Sequence, residues 1–169
     1  DGEKMSFPVF PLSWFESVGY KEKGYFPEAV VNFLALLGWN PGTEQELFTL
    51  DELVETFSLE RVHKSGARFD PEKTKWYNHQ YMQLKGNGEL ALEFKKILNS
   101  KLKVLQKEGF DYAQPDIASI EKVISLIKER ATFISDFWEL SDYFFVAPTT
   151  YAENVIKKQW KEDTPAILT

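Results

Sequence analysis

Between Arg61 and Met82 the sequence reads RVHKSGARFDPEKTKWYNHQYM, and from Arg61 to Lys75 it carries five Lys or Arg against two acids, in a chain whose net charge is −6. Lys64, Arg68, Lys73 and Lys75 are side chains of the kind that hold phosphate oxygens. Trp76 and Asn78 are placed to shape or support the same surface. Contacts to phosphate position a nucleic acid without reading its bases. A folded RNA is recognised largely by shape. A basic island in an acidic body also steers a polyanion to one face. The same residues admit a plainer reading, a solvated loop followed by a helix end.

Other chemistry is sparse. There is no GxxxxGK[ST] loop and no GxGxxG. Lys64-Ser65-Gly66 lacks the preceding glycine frame of a phosphate loop. His63 and His79, with no cysteine and no HExxH spacing, do not make a metal site, and none is expected. Glu44 and Glu46 are ordinary surface carboxylates.

The positioning elements follow from local signals. Phe7 to Leu12, with two prolines, reads as an extended edge or loop. Pro27 suits the first turn of a helix over Glu28 to Leu37, and Gly38 is placed to end it. That helix is apolar nearly all round, so burial is expected. Thr49 to Glu52 matches a capping box, ahead of Leu50, Leu53, Val54 and Phe57 at helical spacing. Asp70 and Pro71 open the next helix as N-cap and first residue. On it Lys75, Asn78, His79 and Met82 share a stripe beside Tyr77 and Tyr81. Lys85-Gly86-Asn87-Gly88 breaks the pattern and marks a boundary between domains 1–85 and 86–169.

Beyond it long helices are expected. Leu90, Phe94, Ile97, Leu98 and Leu105 form one apolar face, with lysines opposite. Pro115 starts a second helix facing in through Ile117, Ile120, Ile124 and Ile127. Phe133, Phe137, Leu140 and Phe144 mark a third, and Thr150 to Glu153 is another capping-box match. This half reads as a helical bundle.

With 43% hydrophobic and 15% aromatic residues, the chain has ample material for a core. The absence of cysteine excludes disulfides and fits a reducing compartment. No apolar run is long enough for a membrane span. The net charge of −6 argues against a nucleic-acid binder, which usually shows a basic footprint, and no DNA or membrane partner is expected; the basic island counts for more than the sum. Both ends of the sequence fall in mid-pattern, which reads as a piece of something longer.

Three stretches carry a resemblance. Gly24 to Trp39 (GYFPEAVVNFLALLGW), Arg61 to Lys73 (RVHKSGARFDPEK) and Lys75 to Met82 (KWYNHQYM) resemble, in that order, the segment after the catalytic fold of bacterial glutamyl-tRNA synthetases. The close likeness covers about residues 1 to 84. The resemblance implies a class I synthetase that activates glutamate with ATP and charges tRNA(Glu) in the cytoplasm.

It also implies a mainly α fold: a stem-contact-type helical domain, then the helical-bundle half of an anticodon-binding domain. Lys4-Met5-Ser6 is similar to the start of the family's KMSKS-type loop, but Phe7 follows at once, so the ATP-contacting second lysine has no counterpart. The Rossmann fold is expected to be absent and the fragment alone inactive. The tRNA contacts expected are Lys64, Arg68, Lys73, Lys75, Trp76 and Asn78. A helical protein-interaction module without a nucleic-acid role is the alternative.

Overall fold

A computed structural model describes residues 19–63, 66, 68–109, 112, 114–147 and 153. Lys4, Met5, Ser6, Lys64, the extended Phe7–Leu12 segment and the junction of the Thr150–Glu153 box lie outside the described residues. Among those described, every regular element is a helix: α1 (Pro27–Gly38), α2 (Leu50–Thr56), α3 (Pro71–Leu84), α4 (Asn87–Lys107), α5 (Ile117–Ile127) and α6 (Asp136–Ser141). Single 3₁₀ turns cover Leu59–Arg61, Lys128–Arg130 and Asp142–Phe144.

The caps of α2 and α3 form where the local signals put them, and that of α5 one residue after the expected Pro115 start. Thr49 accepts the Glu52 amide at 3.2 Å, while the Glu52 carboxylate accepts the Thr49 amide at 2.7 Å. These reciprocal bonds hold the Glu52 carboxyl below its usual range, chiefly through the Thr49 backbone. Asp70 caps α3 by accepting the amides of Glu72 and Lys73, with Pro71 as first helical residue. Asp116 caps α5 through the Ser119 amide, so Pro115 lies just ahead of the cap. Gly38 is the last residue of α1, and the extended Trp39 after it forms a lone antiparallel bridge with Val62.

α3 is the central strut. Its buried side presents Thr74, Tyr77, Asn78, Tyr81 and Met82. One cluster of buried residues runs from Phe26, Ala29 and Phe33 of the first half through Tyr77, Tyr81 and Met82 into Leu90, Phe94 and Leu98 of α4. It continues into Ile120, Ile124 and Ile127 of α5 and Phe137 of α6. Phe94 and Phe137 meet edge to face at 5.5 Å. A small satellite, Trp39, Phe48 and Leu53, sits under the α1–α2 connection.

Four details differ from expectation. α1 is only half buried: Ala29, Asn32 and Phe33 face the core, while Val31 and Leu34 are exposed, because among the described elements α1 packs chiefly against α2 and α3. On α2 only Leu53 is buried, and Leu50, Val54 and Phe57 face out. Gly88 lies within the first turn of α4 rather than in a loop, so the break is confined to Lys85 and Gly86. The third helix of the second half is short, with Phe133 in the turn before it and Phe144 in the 3₁₀ turn after it.

Candidate nucleic-acid interface

Asn78 is fully buried, and its amide joins three segments. Its Oδ1 accepts the Phe26 amide at 2.8 Å, and its Nδ2 donates to the Thr132 carbonyl at 2.6 Å. It therefore supports the surface from below. Asn32 does the equivalent job for α1: its Oδ1 accepts the Phe48 amide at 2.8 Å and lies 2.7 Å from the Tyr81 hydroxyl. That hydroxyl is also 2.5 Å from the Phe48 carbonyl, so one proton serves two acceptors. Burial raises the Tyr81 pKa, partly offset by the Phe48 backbone contact.

The cations stand at the N-terminal end of α3. Arg68 is exposed at the approach to the helix, and Lys73 and Lys75 are exposed on its first turns. Lys73 pairs with Glu46 at 2.8 Å, and Lys75 pairs with Glu72 at 2.8 Å. The hydrogen bond to Glu72 raises the Lys75 pKa. Both pairs are exposed, and exposed pairs contribute little to stability.

An unbroken series of aromatic contacts lies beside these cations, and the sequence alone does not reveal it. Trp76, about 39% exposed, meets Tyr77 edge-on at 4.9 Å. Tyr77 contacts Phe33, Phe33 contacts Phe69, Phe69 contacts Tyr20, and Tyr20 contacts Tyr25. Tyr20, Phe69 and Trp76 expose their rings within this series. Burial raises the Tyr25 pKa against the opposing field of Lys75. Exposed rings set among cations form a surface on which unpaired bases stack while phosphates are held. The one signal present in the sequence is the placement of Phe69 next to Arg68 and Trp76 next to Lys75.

A shallow cavity of about 200 Å³ opens at the same place, lined by Phe33, Leu36, Leu37, Arg68, Asp70, Lys73 and Tyr77. It is smaller than the ~300 Å³ at which small-molecule sites begin. A larger groove, about 870 Å³, lies between the Tyr20–Val31 segment and α4. Around its apolar floor Lys21, Lys23, Lys85 and Lys96 alternate with Glu22, Glu28 and Glu93, so it has no pronounced sign of charge. No group of three or more His, Asp or Glu suited to a metal occurs among the described residues. No described helix is long and apolar enough to cross a membrane.

Residues 89–169 match the family model of an anticodon binding domain. Residues 11–76 match that of the class I tRNA synthetases (E and Q), catalytic domain. The second match runs through α1 and α2 into α3, so part of a catalytic-domain family model falls within a chain in which the catalytic fold was expected to be absent. The chain is 55% identical to a glutamate–tRNA ligase of Flavobacterium johnsoniae, covering 99% of this chain and 32% of that protein. It is 49% identical to that of Porphyromonas gingivalis, over 97% of this chain and 32% of the relative.

Among solved structures it superposes on a glutamate tRNA ligase from Elizabethkingia meningosepticum, determined in complex with its amino acid. The TM-score is 0.78 at 40% identity, over 96% of this chain and 32% of that one. The chain thus spans about a third of the length of the curated relatives it matches.

Proposed function

We propose that this chain, which aligns almost end to end with a third of several bacterial glutamate–tRNA ligases, is the tRNA-binding portion of a class I enzyme of that kind. The full-length enzyme would attach glutamate to tRNA(Glu) with ATP, in the cytoplasm. The observation that carries the reading is the exposed surface around α3, where Arg68, Lys73 and Lys75 stand among the rings of Tyr20, Phe69 and Trp76. Lys64 and Arg68, with Lys73 and Lys75, touch the backbone of the tRNA stem, and Asn78 holds the floor beneath them.

Residues 1–85 act as the end of the catalytic region and the stem contact. Residues 86–169 act as the helical part of the anticodon-binding domain. The chain alone does not form glutamyl-adenylate.

Replacing Lys64 and Arg68 by Glu tests the reading in a titration with tRNA(Glu) at two salt concentrations. Binding is expected to weaken and its salt dependence to flatten by about 0.7–0.9 in log–log slope for each phosphate that is no longer neutralised. Unchanged binding would make the block a solvated surface. A protein-interaction role would then be favoured, supported by the exposed apolar side chains Val31, Leu34, Leu50 and Val54 on α1 and α2.

A further inference from the structure

The strongest run of positive charge in the sequence lies in α4 and plays no part in the surface just described. From Lys95 to Lys107 there are five lysines and no acid. The helix sorts them. Leu90, Ala91, Phe94, Leu98 and Leu102 fill the buried face. Lys96, Ser100, Lys103 and Lys107 follow at spacings of four, three and four residues. That spacing draws one stripe along a helix, here the stripe opposite the core. All four are exposed.

Lys96, Lys103 and Lys107 make no ion pair with any acid among the described residues, in contrast to Lys73 and Lys75, whose charges are already met by Glu46 and Glu72. At about 1.5 Å per residue, the three ammonium groups mark out roughly 16 Å of helix. An unneutralised cationic ridge along one face of a helix fits an extended polyanion, such as a nucleic-acid backbone, better than a compact acidic protein patch.

We propose that the outer stripe of α4, through Lys96, Lys103 and Lys107, is a second phosphate-contacting surface for RNA. It lies in the second half of the chain and is separate from the α3 surface. The inference rests on the tRNA-binding reading and extends it to named side chains within residues 89–169. Two such surfaces on one chain, joined through a common buried core, would engage two separated stretches of a single folded RNA. The α3 surface combines rings with cations, whereas the α4 stripe offers charge alone, so its contacts are with backbone and carry no base preference.

The test compares two variants that remove the same charge. In one, Lys103→Gln is combined with Lys107→Gln. In the other, Lys122→Gln is combined with Arg130→Gln, both exposed residues away from that stripe. Gln matches Lys closely in helix propensity, so circular dichroism and Tm should hold in both. The probe is a tRNA(Glu) transcript titrated from 50 to 200 mM salt.

The α4 variant is expected to lower the salt slope by about 1.4–1.8 and to weaken binding at 50 mM roughly ten- to a hundredfold. The control should stay within a fewfold of wild type. Equal behaviour of the two variants, beside a weakened Arg68→Glu variant, would overturn the α4 surface and leave the functional reading standing. A wild-type chain that binds no tRNA at any of these salt concentrations would overturn both.

Discussion

At the scale of single residues, the site depends on two buried polar groups of opposite standing. Asn78 has every strong hydrogen-bonding atom committed except one amide hydrogen, and it serves Phe26 and Thr132 at once. Asn78→Ala should therefore leave a buried amide and a half-buried carbonyl without their side-chain partner. We expect a loss of about 2–6 kcal/mol in urea denaturation, at 1–3 kcal/mol per orphaned group, with the half-buried carbonyl at the low end. Tyr77 is the reverse case. Its ring is fully buried, but its hydroxyl finds no partner among the described residues. Burial pushes its pKa up to about 12.

An unfolded tyrosine ionises near pH 10, so between about pH 10 and 12 the unfolded state releases the proton first. Stability contributed by the neutral ring is complete below pH 10 and falls away as the pH rises towards 12, by roughly 2–3 kcal/mol. Tyr77→Phe should remove that alkaline component and change stability at neutral pH by less than about 1 kcal/mol in either direction. A loss larger than that would show that the hydroxyl has a partner after all.

At the scale of elements, α3 is gripped from one side by the segment that follows α5. Gln83 Nε2 donates to the Lys128 carbonyl at 3.0 Å, and Lys128 Nζ donates back to the Gln83 carbonyl at 3.0 Å and to the Lys85 carbonyl at 2.6 Å. His79 Nδ1 lies 2.8 Å from the Ala131 carbonyl. Lys128 thus meets the negative end of the α3 dipole, where a cation is favoured. Burial holds its pKa down.

Lys85, beside it, pairs with Glu89 at 2.7 Å and with Glu28 at 3.6 Å, and its ammonium lies 4.9 Å from the Phe26 ring centroid. Lys128→Met should cost about 1–3 kcal/mol, since the carbonyls it serves are left without a charged donor. Chemical denaturation of the two proteins at pH 7 checks this.

The capping box of α2, the starts of α1 and α3, and most of the apolar stripes of α4 and α5 were legible in the sequence, because each signal is contained within a few residues; on α4, however, the expected Leu105 lies outside the core and Leu102 is buried instead, and α5 starts two residues after Pro115 under an Asp116 cap. The reciprocal bonds between Gln83 and Lys128 were not. Nothing in a local window tells a glutamine that its partner lies 45 residues away. The exposure of Val31 and Leu34 was equally hidden, since an apolar helix with neighbours on two sides reads the same as one surrounded. At the candidate site the cations could be read from composition, and the aromatic series between them could not, because Tyr20, Phe33, Phe69 and Trp76 meet only after α1 and α3 have packed.

For the whole molecule, the continuous buried cluster from Phe26 to Phe137 implies that the segments before and after Lys85 and Gly86 unfold together. Trp39 and Trp76 report from the first part, and Trp138 packs against the core of the second. Tryptophan fluorescence and far-ultraviolet circular dichroism are expected to give coincident urea transitions, the signature of a single cooperative unit. Two resolved transitions would mean that the break at Lys85 and Gly86 divides the chain into separately folding parts.

The grip on α3 has one more consequence, which concerns the order of synthesis. The carbonyls that receive Asn78, His79 and Gln83 lie 54, 52 and 45 residues further along the chain. At a translation rate of about 5–20 residues per second, they emerge from the ribosome some 2 to 11 seconds after the helix that needs them. During that interval water must satisfy those side chains, and the inner face of α3 stands open. The helix that carries the cations is therefore made early and fixed late.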